Sequence, residues 1–251
     1  MIAAPWWLIA TVLAALTAGA AAAAGLGRLG LGRATVTASL RAVVQLSVVS
    51  ALIVAVLRSA WWTACFVLVM YVVAAATAAR RVRAGAGAAW VAVAIAAGVA
   101  PALGLLLGSG LVPLRTVAVL PVAGILIGGA MTATGLAGRR ALDDLHDRGG
   151  EYEARLALGY PGRQARRDVC RPAAAQALLP ALDQTRTVGL VTLPGAFVGV
   201  LLGGASPVQA GITQVVVLIA LLAIETLAVL LVVELVARGL IHPRPGTPTA
   251  R

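Results

Sequence analysis

A chain of 251 residues is long enough for one or two soluble domains, but its composition excludes that form. Hydrophobic residues make up 61% and charged residues 12%, against about 25% charge in soluble domains, and mean hydropathy is +0.97. The net charge of +11 is carried by 20 arginines and no lysine, in short runs between apolar stretches, which speaks against nucleic-acid binding. Without lysine the loop G-x-x-x-x-G-K-[ST] cannot form, so any ATP-driven work requires a separate subunit.

A spanning helix needs about 20 mostly apolar residues, and seven stretches meet that length. The first, 6–24, has no basic residue before it, unlike a cleavable signal, and Trp6 and Trp7 suit an interfacial belt. Stretch 34–57 carries Arg41 and, one turn on, Gln45; 61–79 and 88–107 carry no charge; 116–136 is rich in glycine. After the polar segment 137–179 comes 180–202, which holds Asp183 and Arg186 and is interrupted at Leu193-Pro-Gly195. The last, 211–237, contains Glu225 and Glu234. The expected fold is all-α and polytopic, with about seven spans in one transmembrane domain, 1–241. The Pro-rich tail 242–251 is expected to be disordered.

Orientation follows from the arginines. With the N-terminus outside and the C-terminus in the cytoplasm, 16 fall inside, only Arg58 and Arg115 fall outside, and Arg41 and Arg186 lie within spans; short cytoplasmic loops favour arginine. That topology separates Cys65 from Cys170, so two free thiols are expected. His146 and His242 are isolated, giving no zinc or haem spacing, and the methionines make no copper path. A metal substrate would meet hard oxygen groups or backbone, or travel as a complex.

Segment 137–179 holds eight arginines and six of the nine acidic residues, a mixed pattern that suits a folded element facing water or a partner. Within it Glu153-Ala154-Arg155-Leu-Ala-Leu-Gly159-Tyr-Pro161 reads as a short helix stopped by glycine, followed by a second short, basic helix at an angle to it. The spacing from Glu153 through Ala154, Gly159 and Val169 to Pro172 resembles the EAA loop of bacterial ABC permeases. There the loop forms a coupling helix that sits in a cleft of the ATPase subunit. Arg155 and Arg171 depart from that pattern. Farther on, Asp183-Gln-Thr-Arg186-Thr187-Val-Gly189-Leu-Val-Thr192-Leu-Pro194-Gly195-Ala-Phe-Val-Gly199 and Gly204-Ala-Ser-Pro207 resemble the UPF0014 (FetB/YbbM) permease family. Gly128-Gly-Ala-Met131-Thr-Ala-Thr-Gly135 corresponds to that family's G-N-x-M-N stretch, with Gly129 and Thr132 in place of its asparagines.

The resemblance implies a transport permease of the bacterial cytoplasmic membrane and metal (iron) export. Its partner would be an ABC ATPase subunit like FetA, which would hold ATP and magnesium; no cofactor is expected on this chain. A homodimer in membrane lipid, with two ATPase subunits, is the expected assembly. The candidate pathway comprises Arg41, Gln45, Met131, Asp183, Arg186, Thr187, Gly189, Thr192, Pro194, Gly195 and Glu225. Several of these carry a second reading. An ionisable group at the depth of Glu225 costs at least about 2.5 kcal/mol, so it is either paired with Arg41 or serves as a cation or proton site. Asp183 and Arg186 form a local pair or a gate, and Gln45 lines a path or bonds between helices. Thr192-Leu-Pro-Gly195 is a kink or a broken helix lining the path. Glu234, near the cytoplasmic end of its span, snorkels or pairs with Arg238 at i+4. Titration of Glu225 or Asp183 would instead serve a secondary transporter. An intramembrane enzyme would need a nucleophile with its base, or metal ligands, at depth, and no histidine lies in any span.

Overall fold

The structure, a computed structural model, describes residues 5–242. Of the expected tail only His242 is among them; Arg244 and Arg251 lie outside the described residues. The described residues form nine α-helices, and the chain divides into two compact units, 1–59 and 60–251.

In the first unit α1 (Trp6–Leu26) packs on α2 (Gly32–Leu57). Each buries a single residue, Ala24 and Val56 respectively. The remaining surface of α1 is almost wholly apolar, as on a helix that meets lipid or protein, whereas α2 also exposes Arg41 and Gln45.

The second unit contains α3 (Ala60–Val82), a 3-10 turn (Gly85–Gly87), α4 (Ala88–Gly108), α5 (Thr116–Asp147), α6 (Gly149–Ala157), α7 (Gly162–Thr187), α8 (Gly195–Leu202) and α9 (Pro207–Ala237). Helices α5 and α9 are its centre, with α3, α4 and α7 packed around them. On α5 the fully buried Ala123, Ala130 and Ala137 recur every seven residues, so a stripe of small side chains lets neighbouring backbones approach. On α9 Ile224, Ala228, Val229 and Val232 are fully buried. Gly98 brings α4 against α9 so closely that an added Cβ would lie 2.8 Å from the carbonyl oxygen of Ile224.

One end of this unit collects most of its basic residues, Arg115 and Arg186 being the exceptions. There the segment after α9 lies on the turn that joins α3 to α4, with the Leu240 carbonyl oxygen 2.7 Å from where a Cβ on Gly87 would sit. Arg80 and Arg81 end α3, just before that turn. Glu234, near the end of α9, accepts from Arg238 Nε at 2.7 Å, as expected, and from Arg163 Nε of α7 at 2.6 Å.

Among the described residues six helices are long and apolar enough to cross a membrane: α1, α2, α3, α4 extended back to Gly85, α5 and α9. The seventh expected span, 180–202, is not one helix. Helix α7 begins at Gly162, continues through Pro172 and Pro180 and stops at Thr187. The second helix of the polar segment is therefore 26 residues long, not short, because neither proline stops it while α5 and α9 flank it. The chain then turns at Gly189, whose N–H donates to the Thr192 carbonyl at 2.9 Å. It resumes as the eight-residue α8 behind Pro194. Proline is thus the residue before a new helix and not the site of a kink, since its fixed φ and missing N–H suit a helix start. The interrupted stretch still runs along α9, from Arg163 beside Glu234 to Phe197 beside Gln214. Those two α9 residues are 20 positions apart, about 30 Å of helix.

Helix α8 begins without a capping side chain of its own. Gln214 of α9, buried, supplies one across the gap: its Oε1 accepts from the N–H of Phe197 at 3.2 Å, in the first turn of α8, where N–H groups lack helical partners. Gln214→Leu should cost about 1–2 kcal/mol locally. In hydrogen exchange by mass spectrometry, the α8 amides should then exchange roughly five- to thirtyfold faster, while those of α9 keep their wild-type rates.

Candidate functional site

The polar segment folds into a helical hairpin. Helix α6 ends in a Schellman arrangement: Gly159 N–H donates to the Leu156 carbonyl at 2.9 Å and Tyr160 N–H to the Arg155 carbonyl at 3.1 Å. Gly159 holds φ at +87°, where a side chain costs about 1–2 kcal/mol. Pro161 follows and caps the start of α7. Charged groups clasp the two helices. Arg148 Nε donates to Glu151 at 2.9 Å and its Nη1 to the Val169 carbonyl at 3.1 Å. Arg155 reaches Glu151 at 2.9 Å and Asp168 of α7 at 3.3 Å. The Arg166 guanidinium lies 5.5 Å from the centre of the Tyr152 ring, a cation–π contact. Hydrogen bonds from Arg155 and Arg148 hold the Glu151 carboxyl below its ordinary range. Its share of the clasp is present above the ordinary glutamate pKa and is lost as pH falls through the lowered one.

This geometry sorts the expected coupling residues. Glu153 and Ala154 are exposed on α6, and Gly159 makes the turn. Val169 is fully buried, so it anchors the hairpin from within, while Pro172 is exposed inside α7. Arg155, a departure from the EAA pattern, joins α6 to α7. The structure adds two residues that were not singled out: Leu158, 77% exposed, and Tyr160, 41% exposed. Together with Leu156 they make an apolar edge beside Glu153. The sequence signal was available, since large apolar residues in a polar segment need burial somewhere.

A second constellation lies along α9. Glu225 lines a cavity of about 330 Å³ with Gly128, Gly129, Thr132, Pro180 and Gln184. It is nine residues before Glu234, about 13 Å up the helix. A Cβ on Gly129 would sit 2.6 Å from Glu225 Oε1 and 2.5 Å from Leu221 Cδ2. Glycine at this position is what allows the carboxylate to lie against α5. Thr132 Oγ1 donates to the Gly128 carbonyl at 3.0 Å. Among the described residues no basic side chain lines the cavity.

Of the other expected pathway residues, Met131 faces the hydrophobic core, one position from the cavity-lining Thr132. Asp183 and Arg186 pair at 3.7 Å and are 68% and 69% exposed. Thr187 Oγ1 donates to the Asp183 carbonyl at 2.8 Å. Gly189, Thr192, Pro194 and Gly195 form the break between α7 and α8. Arg41 and Gln45 are exposed on α2 within their own unit. Gln184 and Pro180 were not among the expected residues. They enter because α7 continues as helix past Pro180, which turns one face of residues 177–184 toward α5 and α9.

Among the described residues both cysteines are free. Burial raises the Cys170 thiol from 9.0 to about 12, and its Sγ lies 3.5 Å from the Ala141 carbonyl oxygen, to which it donates. At pH 8 its thiolate fraction should be about a thousandfold below that of an ordinary thiol. Maleimide labelling of Cys170 in native membranes should therefore be negligible, becoming rapid after denaturation. Between pH 9 and 12 the unfolded thiol ionises first, so stability should fall as pH rises through that window. A Cys170→Ala chain should lose that component of its alkaline sensitivity.

Residues 6–241 match the family described as "Uncharacterised protein family (UPF0014)". The rice (Oryza sativa subsp. japonica) UPF0014 membrane protein STAR2 is 37% identical over 81% of this chain and 73% of its own length. The protein ALUMINUM SENSITIVE 3 of Arabidopsis thaliana is 36% identical over 71% and 66%. The probable iron export permease protein FetB of Escherichia coli K12 is 32% identical over 61% and 59%. No solved structure matches the chain significantly. With a match that runs from the start of α1 to one residue past Leu240 and six helices able to cross a membrane, the chain belongs to the UPF0014 family of multi-pass membrane proteins.

Proposed function

We propose that this chain is the transmembrane permease subunit of an ATP-driven transporter of the ABC type. It would work as a homodimer with two separate ATPase subunits, in the cytoplasmic membrane of a bacterium, with its N-terminus outside and its arginine-rich end inside. The observation that carries this reading is the clasped α6–α7 hairpin, with Glu153, Leu156, Leu158 and Tyr160 exposed at its tip. A helix that presents apolar anchors beside a charge is the form a partner groove accepts, and the basic end on which it sits suits the inner face. ATP and magnesium belong to the partner. Closure of the ATPase pair would push on α6, and the α5–α7 packing would pass that movement to the bundle, which requires two packings of the helices. The likeness to FetB supports export of a metal such as iron, while the plant relatives keep other solutes within the family's range.

The cavity at Glu225 supports a second reading, a secondary transporter driven by a proton or cation, with Asp183 as a further titrating group. The two separate in one experiment. The candidate ATPase is co-expressed with wild-type chain and with Glu153→Arg and Leu158→Asp. The wild type should retain the ATPase through purification, and both variants should lose it, each weakening the complex by roughly thirtyfold or more, as loss of a central anchor does. Glu225→Gln should retain the ATPase. If no ATPase associates and the hairpin variants transport like wild type while Glu225→Gln is inactive, the chain is a secondary transporter.

A further inference from the structure

The two histidines, 96 positions apart in sequence, meet in the fold. His146 from the end of α5 and His242 from the segment after α9 line one cavity of about 530 Å³ with Arg166 of α7 and Arg238. The rest of the lining is apolar, including Leu145, Val236 and Ile241, and no carboxylate of the described residues belongs to it. Nothing in the coupling or transport reading uses this cavity.

Its shape rests on Gly239. Helix α9 ends there in a Schellman turn, with Gly239 N–H donating to the Val236 carbonyl at 2.9 Å and Leu240 N–H to the Leu235 carbonyl at 3.0 Å. The glycine holds φ at +74°, and Arg166 Nη1 lies 3.0 Å from where its Cβ would be. His242 Nδ1 is 3.3 Å from the Gly239 carbonyl oxygen. The turn therefore folds the chain back so that a guanidinium and an imidazole converge on one backbone position. Charge at this end is unbalanced. Glu234, the nearest acidic residue along α9, is already shared by Arg163 and Arg238. Arg166 has the Tyr152 ring beneath it and no carboxylate partner among the described residues.

We propose that this cavity binds a phosphate group. The unpaired Arg166 guanidinium offers forked N–H donors that match phosphate oxygens, Arg238, held by Glu234 through Nε, adds its terminal Nη donors, and the imidazoles lie beside them. Two sources carry that chemistry: free phosphate in solution, or the headgroup of an anionic phospholipid. The cavity lies where the apolar run of α9 gives way to Arg238, the kind of boundary at which lipid headgroups sit, and its apolar walls suit a headgroup with its glycerol. The site stands whether or not the chain works with an ATPase.

The test uses the full chain and two probes. Thermal unfolding in detergent is followed against inorganic phosphate at constant ionic strength. It is then followed in nanodiscs of phosphatidylcholine with and without phosphatidylglycerol. A saturable rise with inorganic phosphate supports the site and identifies the free anion as a ligand; a rise with phosphatidylglycerol alone supports it and identifies the lipid. Arg166→Gln should weaken the responding probe about tenfold, as loss of a charge-assisted pair does, and His242→Gln several-fold. Arg171→Gln, an exposed arginine of α7 outside the cavity, should leave the response unchanged. If Arg166→Gln unfolds, the exposed His242 decides alone. No response to either probe, a response that survives His242→Gln undiminished, or an equal loss in Arg171→Gln would overturn the proposal.

Discussion

Lipid tails are as apolar as leucine, so burial of hydrophobic side chains cannot by itself hold helices α5 and α9 together once they are in a membrane. Close backbone approach does that work, and everything else in the second unit is arranged around it. The alanine stripe on α5, the contact of Gly98 with the α9 backbone and the seat of Glu225 against Gly129 are three expressions of one constraint. A larger side chain at Gly129 would separate α5 from α9 or expel the carboxylate, so the cavity at Glu225 and the packing of the bundle share their residues.

The same economy governs polar groups. Along the interrupted stretch from α7 to α8 the backbone loses its helical bonds, and unsatisfied groups are costly away from water. Gln214 reaches from α9 to bond one of them, and the Gly189–Thr192 bond closes another. Most other charges in this unit gather at one end, where Glu151 joins Arg148 and Arg155, Asp168 joins Arg155, and Glu234 joins Arg163 and Arg238. Such pairs contribute little singly when exposed. Their effect here is to set the angle of the hairpin, so a stiff element projects from the bundle with Leu158 and Tyr160 at its tip.

Periodicity, composition and punctuation made much of this legible in the chain alone. Apolar length marked the helices, because a spanning segment must satisfy its backbone within itself. Gly159 and Pro161 marked the end of α6, because few residues besides glycine tolerate the turn at a helix terminus. Glu153 and Ala154 were recognisable as exposed candidates from their spacing. The motif also drew attention to Arg155 as a misfit, although its reason, a clasp to Asp168, needed the neighbouring helix to be seen. The expected span 180–202 failed as a single helix because proline reads the same whether it kinks a helix or starts one. Which of these occurs depends on what flanks it, and here Gln214 of α9 meets the new helix start.

What the sequence determined by itself was the class of the protein: an all-helical membrane chain, with its polar hairpin at 137–179 and its charges sorted into loops. These follow from the cost of polar groups in hydrocarbon, which acts on every residue locally. What only the tertiary structure decided was which distant residues share a site. Glu225 meets Gly129 and Gln184, and His146 meets His242 beside Arg166, because helix rotation and the reversal at Gly239 bring together faces that no linear spacing relates.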